Sequence, residues 1–168
     1  MAAEGAVAGA PQGRLFRTVL LATDLTPTSG EATERAIELA SSLGARLLVV
    51  NVIDTAGPQG GGPVTRLDQA RFAREGALVD IVRRARARGV AVEFLVWTGD
   101  PSASIVAAVD AEGADLLVVG SRGRHRAERM LLGSVSDHLV RNASCPVLVV
   151  RPTLRSPALT SEPGTPDG

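Results

Sequence analysis

Two hydrophobic rhythms take turns along this chain. Near-continuous apolar runs occupy residues 18–23, 47–53, 90–97, 116–119 and 147–150. Between them apolar residues return every three or four positions, the spacing of a helix with one buried face. The first such stretch opens on Thr28 and Glu31, a capping-box pattern, continues through Ala32, Ala36, Leu39, Ala40 and Leu43, and stops at Gly44. The second spans residues 65–88, with Leu67, Ala70, Ala77, Leu78, Ile81, Val82 and Ala85 expected inward and Gly89 as its stop. In the third, Asp100 is the expected cap and Pro101 fills the first turn, where a missing N–H is harmless. Ile105, Val106 and Val109 form its apolar face, and Gly113 ends it. In the fourth, Val135, Leu139, Val140 and Ala143 form the face, and Pro146 closes the link to the last strand.

Five strands alternating with four helices predict an α/β fold. Strands that are apolar throughout belong in a parallel sheet covered on both faces. Right-handed crossovers make that sheet doubly wound, and such sheets bind ligands beyond the carboxyl ends of their strands. Residues 15–152 are expected to form the domain. Residues 1–14, rich in Ala and Gly, read as a flexible tail without the pattern of a signal peptide. Residues 153–168, rich in Pro, Ser and Thr, read as a disordered tail. Residues 54–63, with three glycines at 60–62, read as a surface connection.

The candidate chemistry lies after the fourth strand. Gly120, Gly123 and Gly133-Ser134 have the spacing G-x2-G-x9-G-S, between a buried strand and a helix start. Glycines let main-chain N–H groups approach an anion without a Cβ in the way. The helix start adds unpaired donors and partial positive charge. Plainer readings stay open beside this one. Gly120 and Gly123 could form a simple turn. Ser134 could be only a cap, since Ser134 and Asp137 also fit a capping box. Asp24, after the first strand, could cap its own loop. Arg122, Arg124, Arg126 and Arg129 could be a solvated face rather than phosphate ligands. His125 and His138 lack a catalytic partner at a recognisable spacing, and Cys145 and Trp97 read as packing residues.

Composition removes several function classes. The 168 residues are 45% hydrophobic but only 2% aromatic, which leaves few rings for stacking bases. Formal net charge is zero, so no electrostatic footprint for nucleic acid is expected. All 18 basic residues are arginine; without lysine there is no Walker A loop. One cysteine allows no internal disulfide and suits a reducing cytoplasm. No Cys or His pair has metal-ligand spacing, and no apolar run reaches the roughly 18–20 residues of a membrane span.

The residues at several of these positions together resemble the universal stress protein family over 17–151. They are Val19-Leu20-Leu21-Ala22-Thr23-Asp24, Asn51-Val52-Ile53, Gly99-Asp100-Pro101, the run from Ala114 to Gly123, Leu132-Gly133-Ser134-Val135-Ser136, and Cys145-Pro146 with the last strand. The resemblance implies strand order 3-2-1-4-5 and a homodimer. It also implies an ATP site, with or without Mg2+, made from Ala22, Thr23, Asp24, Val52, Gly120, Ser121, Arg122, Gly123, Arg124, Gly133, Ser134, Val135 and Ser136. In that carry-over Asp24 accepts from the ribose or adenine region and Val52 offers main-chain groups to the adenine edge. Gly120 and Gly123 let the chain wrap the ribose and phosphates. Residues 133–136 give N–H and hydroxyl donors to the phosphates.

The leading expectation is a non-catalytic, ATP-binding regulator or sensor in a stress response. It has no catalytic residues, no resident metal, and no nucleic-acid or membrane partner. A slow ATPase of the same fold and a nucleotide-free dimeric module are the alternatives. The dimer is expected to form through Val147, Leu148, Val149 and Val150, an apolar strand that lies at the sheet edge in the implied order.

Overall fold

A computed structural model describes residues 15–55, 64–121 and 132–151; the side chains of residues 64–68 and 70 also lie outside the description. Both expected tails, the glycines at 60–62 and the inward positions Leu67 and Ala70 therefore fall outside it. The order of elements is β1 (Thr18–Ala22), a 3-10 turn (Pro27–Ser29), α1 (Gly30–Leu43), β2 (Arg46–Asp54) and α2 (Val64–Ala87). Then come β3 (Val92–Gly99), α3 (Pro101–Glu112), β4 (Leu116–Gly120), α4 (Ser134–Asn142) and β5 (Val147–Val150). All five strands are parallel, in the order β3-β2-β1-β4-β5.

Alternation along the strands divides the core in two. Val19, Leu21, Leu47, Val49 and Val118 pack with Ala32, Ala36, Ile37 and Ala40 of α1 and Leu78, Ile81 and Ala85 of α2. Leu20, Leu48, Val50, Leu117 and Val119 pack with Ile105, Ala108 and Val109 of α3 and Leu139 of α4. β1 is central and buried over its whole length, which is why its sequence shows no polar alternation.

The helix stops are where the glycines are. Gly44, Gly89 and Gly113 have φ of 60°, 73° and 59°, the left-handed conformation that closes helices. The Asp100 carboxylate accepts the Ala103 N–H at 2.8 Å and caps α3, with Pro101 in the first turn. Asp100→Ala should cost about 1 kcal/mol. Urea titration should show a lower midpoint with an unchanged slope.

Other expectations shift. The Thr28–Glu31 box does not start α1. Pro27 begins a 3-10 turn instead, and the Thr28 hydroxyl meets the Thr26 hydroxyl at 2.8 Å. β3 begins at Val92 rather than residue 90, because the Val90 N–H closes α2 on the Ala85 carbonyl at 3.1 Å. It runs on to Gly99, since Thr98 and Gly99 still pair with Ile53 and Asp54. Ala77 and Val140, expected inward, are exposed; Leu43, likewise expected inward, is partly exposed; Ile37 and Ser136 are buried in the corresponding helices.

Candidate functional site

β1 stops before its neighbours do, and this makes a notch in the sheet. Ala22, its last residue, pairs with Val50 on one side and Val119 on the other. β2 then runs on to Asp54 and β4 to Gly120. Val52 and Gly120 therefore flank the line that β1 abandons, and the turn from Thr23 to Ser29 leads away from it.

Side-chain hydroxyls hold that turn. The Thr23 hydroxyl accepts the Leu25 N–H at 3.1 Å and lies 3.0 Å from the Ser29 hydroxyl. Ser29 donates in turn to the Thr26 carbonyl at 2.8 Å. Leu25, at φ 61°, is the one non-glycine in the left-handed region among the described residues. Such strain persists only where the surroundings over-determine it, as this relay and the packing of Leu25 on the first core cluster do. Asp24 Oδ1 accepts from the Thr26 N–H at 3.1 Å and the Thr26 hydroxyl at 2.7 Å. Its other oxygen, Oδ2, is buried with no partner among the described residues.

The far wall is the meeting of β4 and α4. The Gly133 N–H donates to the Ser121 carbonyl at 2.8 Å, so residues 121 and 133 are joined where the chain leaves β4 and enters α4. Gly133, not Ser134, is the N-cap, in an extended conformation. The first helical bond of α4 runs from the Asp137 N–H to the Gly133 carbonyl at 2.9 Å. Ser134, Val135 and Ser136 thus occupy the first turn, whose N–H groups have no acceptor within the helix. Asp137 carries negative charge there, since the Arg141 hydrogen bonds at 3.0 and 3.2 Å hold its carboxyl below the usual carboxylate range, and the guanidinium offsets that charge.

A cavity of about 600 Å³ lies at the opposite end of the sheet, lined by Arg17, Ser41, Gly44, Arg46, Arg88 and Gly89 among others. The C-terminal ends of α1 and α2 border it, and helix C-termini carry partial negative charge.

The model of a known family matches residues 15–151. This chain belongs to the universal stress protein family. A universal stress protein of Methanocaldococcus jannaschii is 34% identical over 142 residues, covering 82% of this chain and 83% of the relative. Among solved structures, a universal stress protein in complex with cAMP is 29% identical, with a TM-score of 0.62 over 80% of this chain and 96% of that one. A family member from Arabidopsis thaliana with AMP bound is 25% identical, with a TM-score of 0.59 over 80% and 91%.

In this universal stress protein the site residues expected from sequence divide by what their side chains do. Ala22 is core, and Thr23 serves the turn relay. Ser121, 2% exposed, is clamped by its main chain to Val150 and Gly133. Ser136, 3% exposed, turns its hydroxyl to the Gly133 carbonyl at 3.0 Å, which leaves its main-chain N–H as the group it can offer an anion. Ser134 is exposed, and Val52, Gly120, Gly133 and Val135 are half-buried around the notch. Arg122, Gly123 and Arg124, with His125, Arg126 and Arg129, lie outside the described residues. His138 is exposed on α4, and Trp97 stands opposite Val52 in the β2–β3 register. Burial pushes the Cys145 thiol up, away from a reactive thiolate.

The residue that sequence reasoning passed over is Asn51. It is buried and donates to the Thr23 carbonyl at 2.7 Å. An amide alone within the apolar run 47–53 was the available signal. Among the described residues no three His, Cys, Asp or Glu side chains are grouped to hold a metal, and no helix is long and apolar enough to cross a membrane.

Proposed function

We propose that this universal stress protein binds an adenine nucleotide, ATP in the cell, in the notch beyond β1, and acts as a nucleotide-dependent regulator in a stress response. The observation that carries the reading is the buried, unpartnered Oδ2 of Asp24. A buried carboxylate oxygen without a donor is costly, and a ribose hydroxyl would supply one. Val52 would meet the base with its main chain, and Gly120 would allow close approach. The free N–H groups of residues 134–136 at the N-terminus of α4 would hold phosphate. These groups fit an adenine nucleotide by donor and acceptor chemistry, in keeping with the cAMP and AMP bound by two structural relatives. Mg2+ would enter with the phosphates.

Binding without efficient turnover is part of the proposal. The chain has no lysine, and the Asp24 carboxylate is already held by Thr26. Phosphate release should stay far below about one per second, the low end for ordinary enzymes. Faster release, abolished by Asp24→Ala, would move the protein to the enzymes. The working form is proposed to be a cytoplasmic homodimer joined along β5.

Mass spectrometry of nucleotide released from the purified protein, followed by calorimetric titration, tests the site. Gly133→Val places a branched side chain at the mouth of α4. ATP affinity should fall at least about tenfold, or ~1.4 kcal/mol, with circular dichroism unchanged. Equal affinity in wild type and variant would overturn the phosphate position.

A further inference from the structure

β2 turns the main chain of alternate residues to its two neighbours. The Arg46 N–H donates to Arg17, on the β1 side, at 2.9 Å, and the Val50 carbonyl accepts the Thr23 N–H at 3.0 Å. The Leu47 N–H goes the other way, to Ala91 ahead of β3, at 2.8 Å. Val52 therefore faces the line of β1, beyond its last paired residue. The next rung of a regular parallel ladder would join the Val52 N–H to the Thr23 carbonyl.

That rung is not made. The Thr23 carbonyl accepts the Asn51 side-chain amide instead, at 2.7 Å. Asn51 is 1% exposed, and its Oδ1 has no partner among the described residues. Flipping the amide would set oxygen against oxygen, so the donor must point at Thr23. An aliphatic side chain would continue the run of Leu47–Val50 without leaving a buried oxygen unpaired, which is costly. The amide satisfies the Thr23 carbonyl without help from the main chain of β2. Val52 then keeps both a donor and an acceptor facing the notch, half-buried beside the turn that carries Asp24.

We propose that Asn51 is a positioning residue: by capping the Thr23 carbonyl it keeps β1 from zipping one rung further and holds the Val52 main chain open for a base. This rests on the nucleotide reading for its ligand, but its structural half does not. A base with an acceptor beside an amino donor, as adenine has, suits the N–H and C=O of one residue.

Amide hydrogen exchange by NMR on the full chain, with AMP as the probe, separates the two halves. In the nucleotide-free wild type, Val52 should exchange at least about tenfold faster than Val50, which lies within the ladder, and AMP should protect it. In Asn51→Leu the Thr23 carbonyl loses its donor and should recruit the Val52 N–H. Val52 exchange should then slow at least about tenfold even without nucleotide. AMP affinity should fall by a similar factor while Asp24 stays in place. A merely structural asparagine would lower stability and leave Val52 exchanging as fast or faster. Val52 as protected as Val50 in nucleotide-free wild type overturns the proposal without any variant. Val52 no slower in a folded Asn51→Leu overturns it as well. Failure of wild type to take AMP would remove the nucleotide reading, while the exchange contrast still decides what Asn51 does to Val52.

Discussion

Asp24→Ala should leave the protein folded and remove most of its nucleotide affinity. Oδ1 is committed to the turn, through the N–H and hydroxyl of Thr26. Oδ2 is buried and waiting for a donor. A hydrogen bond to a charged group contributes about 1.5–3 kcal/mol, so ATP and AMP should each bind roughly 10–150-fold more weakly. Losing the Thr26 bonds should loosen the turn and cost stability on the order of 1 kcal/mol. Titration calorimetry reads the first effect and urea midpoints the second. Unchanged affinity in the folded variant would show that the ligand does not use this carboxylate.

A charge at position 148 should split the proposed dimer. Among the described residues β5 pairs only with β4 and ends the sheet, and the outer side of such an edge strand presents unpaired main-chain groups. Leu148 on that edge strand is an exposed apolar side chain, at 38%. Val149 is the less useful probe, because it already packs on the second core cluster and an arginine there would also harm the protomer. Leu148→Arg avoids that, yet places a guanidinium in a seam that must lose its water. Isolated charges in such seams cost several kcal/mol. Dissociation should rise at least about a hundredfold, or ~2.7 kcal/mol. Light scattering at micromolar concentration decides it, with ATP affinity as a control expected to hold. A monomeric wild type, or a variant as dimeric as wild type, rejects the β5 interface.

The parallel sheet and its helix stops were legible in the residues themselves, and the strand order followed from the family resemblance. Strands buried on both faces read as unbroken apolar runs, and helices with one wet face cannot. Gly44, Gly89 and Gly113 were read as stops from residue type, and each sits at a left-handed φ. Asp100 and Pro101 were read as a helix start, and the cap bond is there. These signals are local: each depends on a residue and its neighbours within a turn or two. The glycine spacing was local in the same way and pointed to the end of the sheet where β4 gives way to α4.

Other parts of the site depended on segments far apart in the chain. Gly133 rather than Ser134 is the cap of α4, with its N–H held by the carbonyl of Ser121, twelve positions earlier in the chain. In that helix Ser136 is buried and Val140 exposed. Asn51 and Thr23 lie 28 residues apart, and no periodicity tells that one side chain replaces a rung of the ladder between their strands. A hydrophobic pattern records which face of an element avoids water. It does not record which carbonyl is left without a partner when two strands of unequal length are laid side by side. The sequence by itself determined the layers and the end of the sheet where a ligand could sit. Only the tertiary structure decided which polar atoms remain open there, because an open donor or acceptor is defined by every other group that fails to reach it.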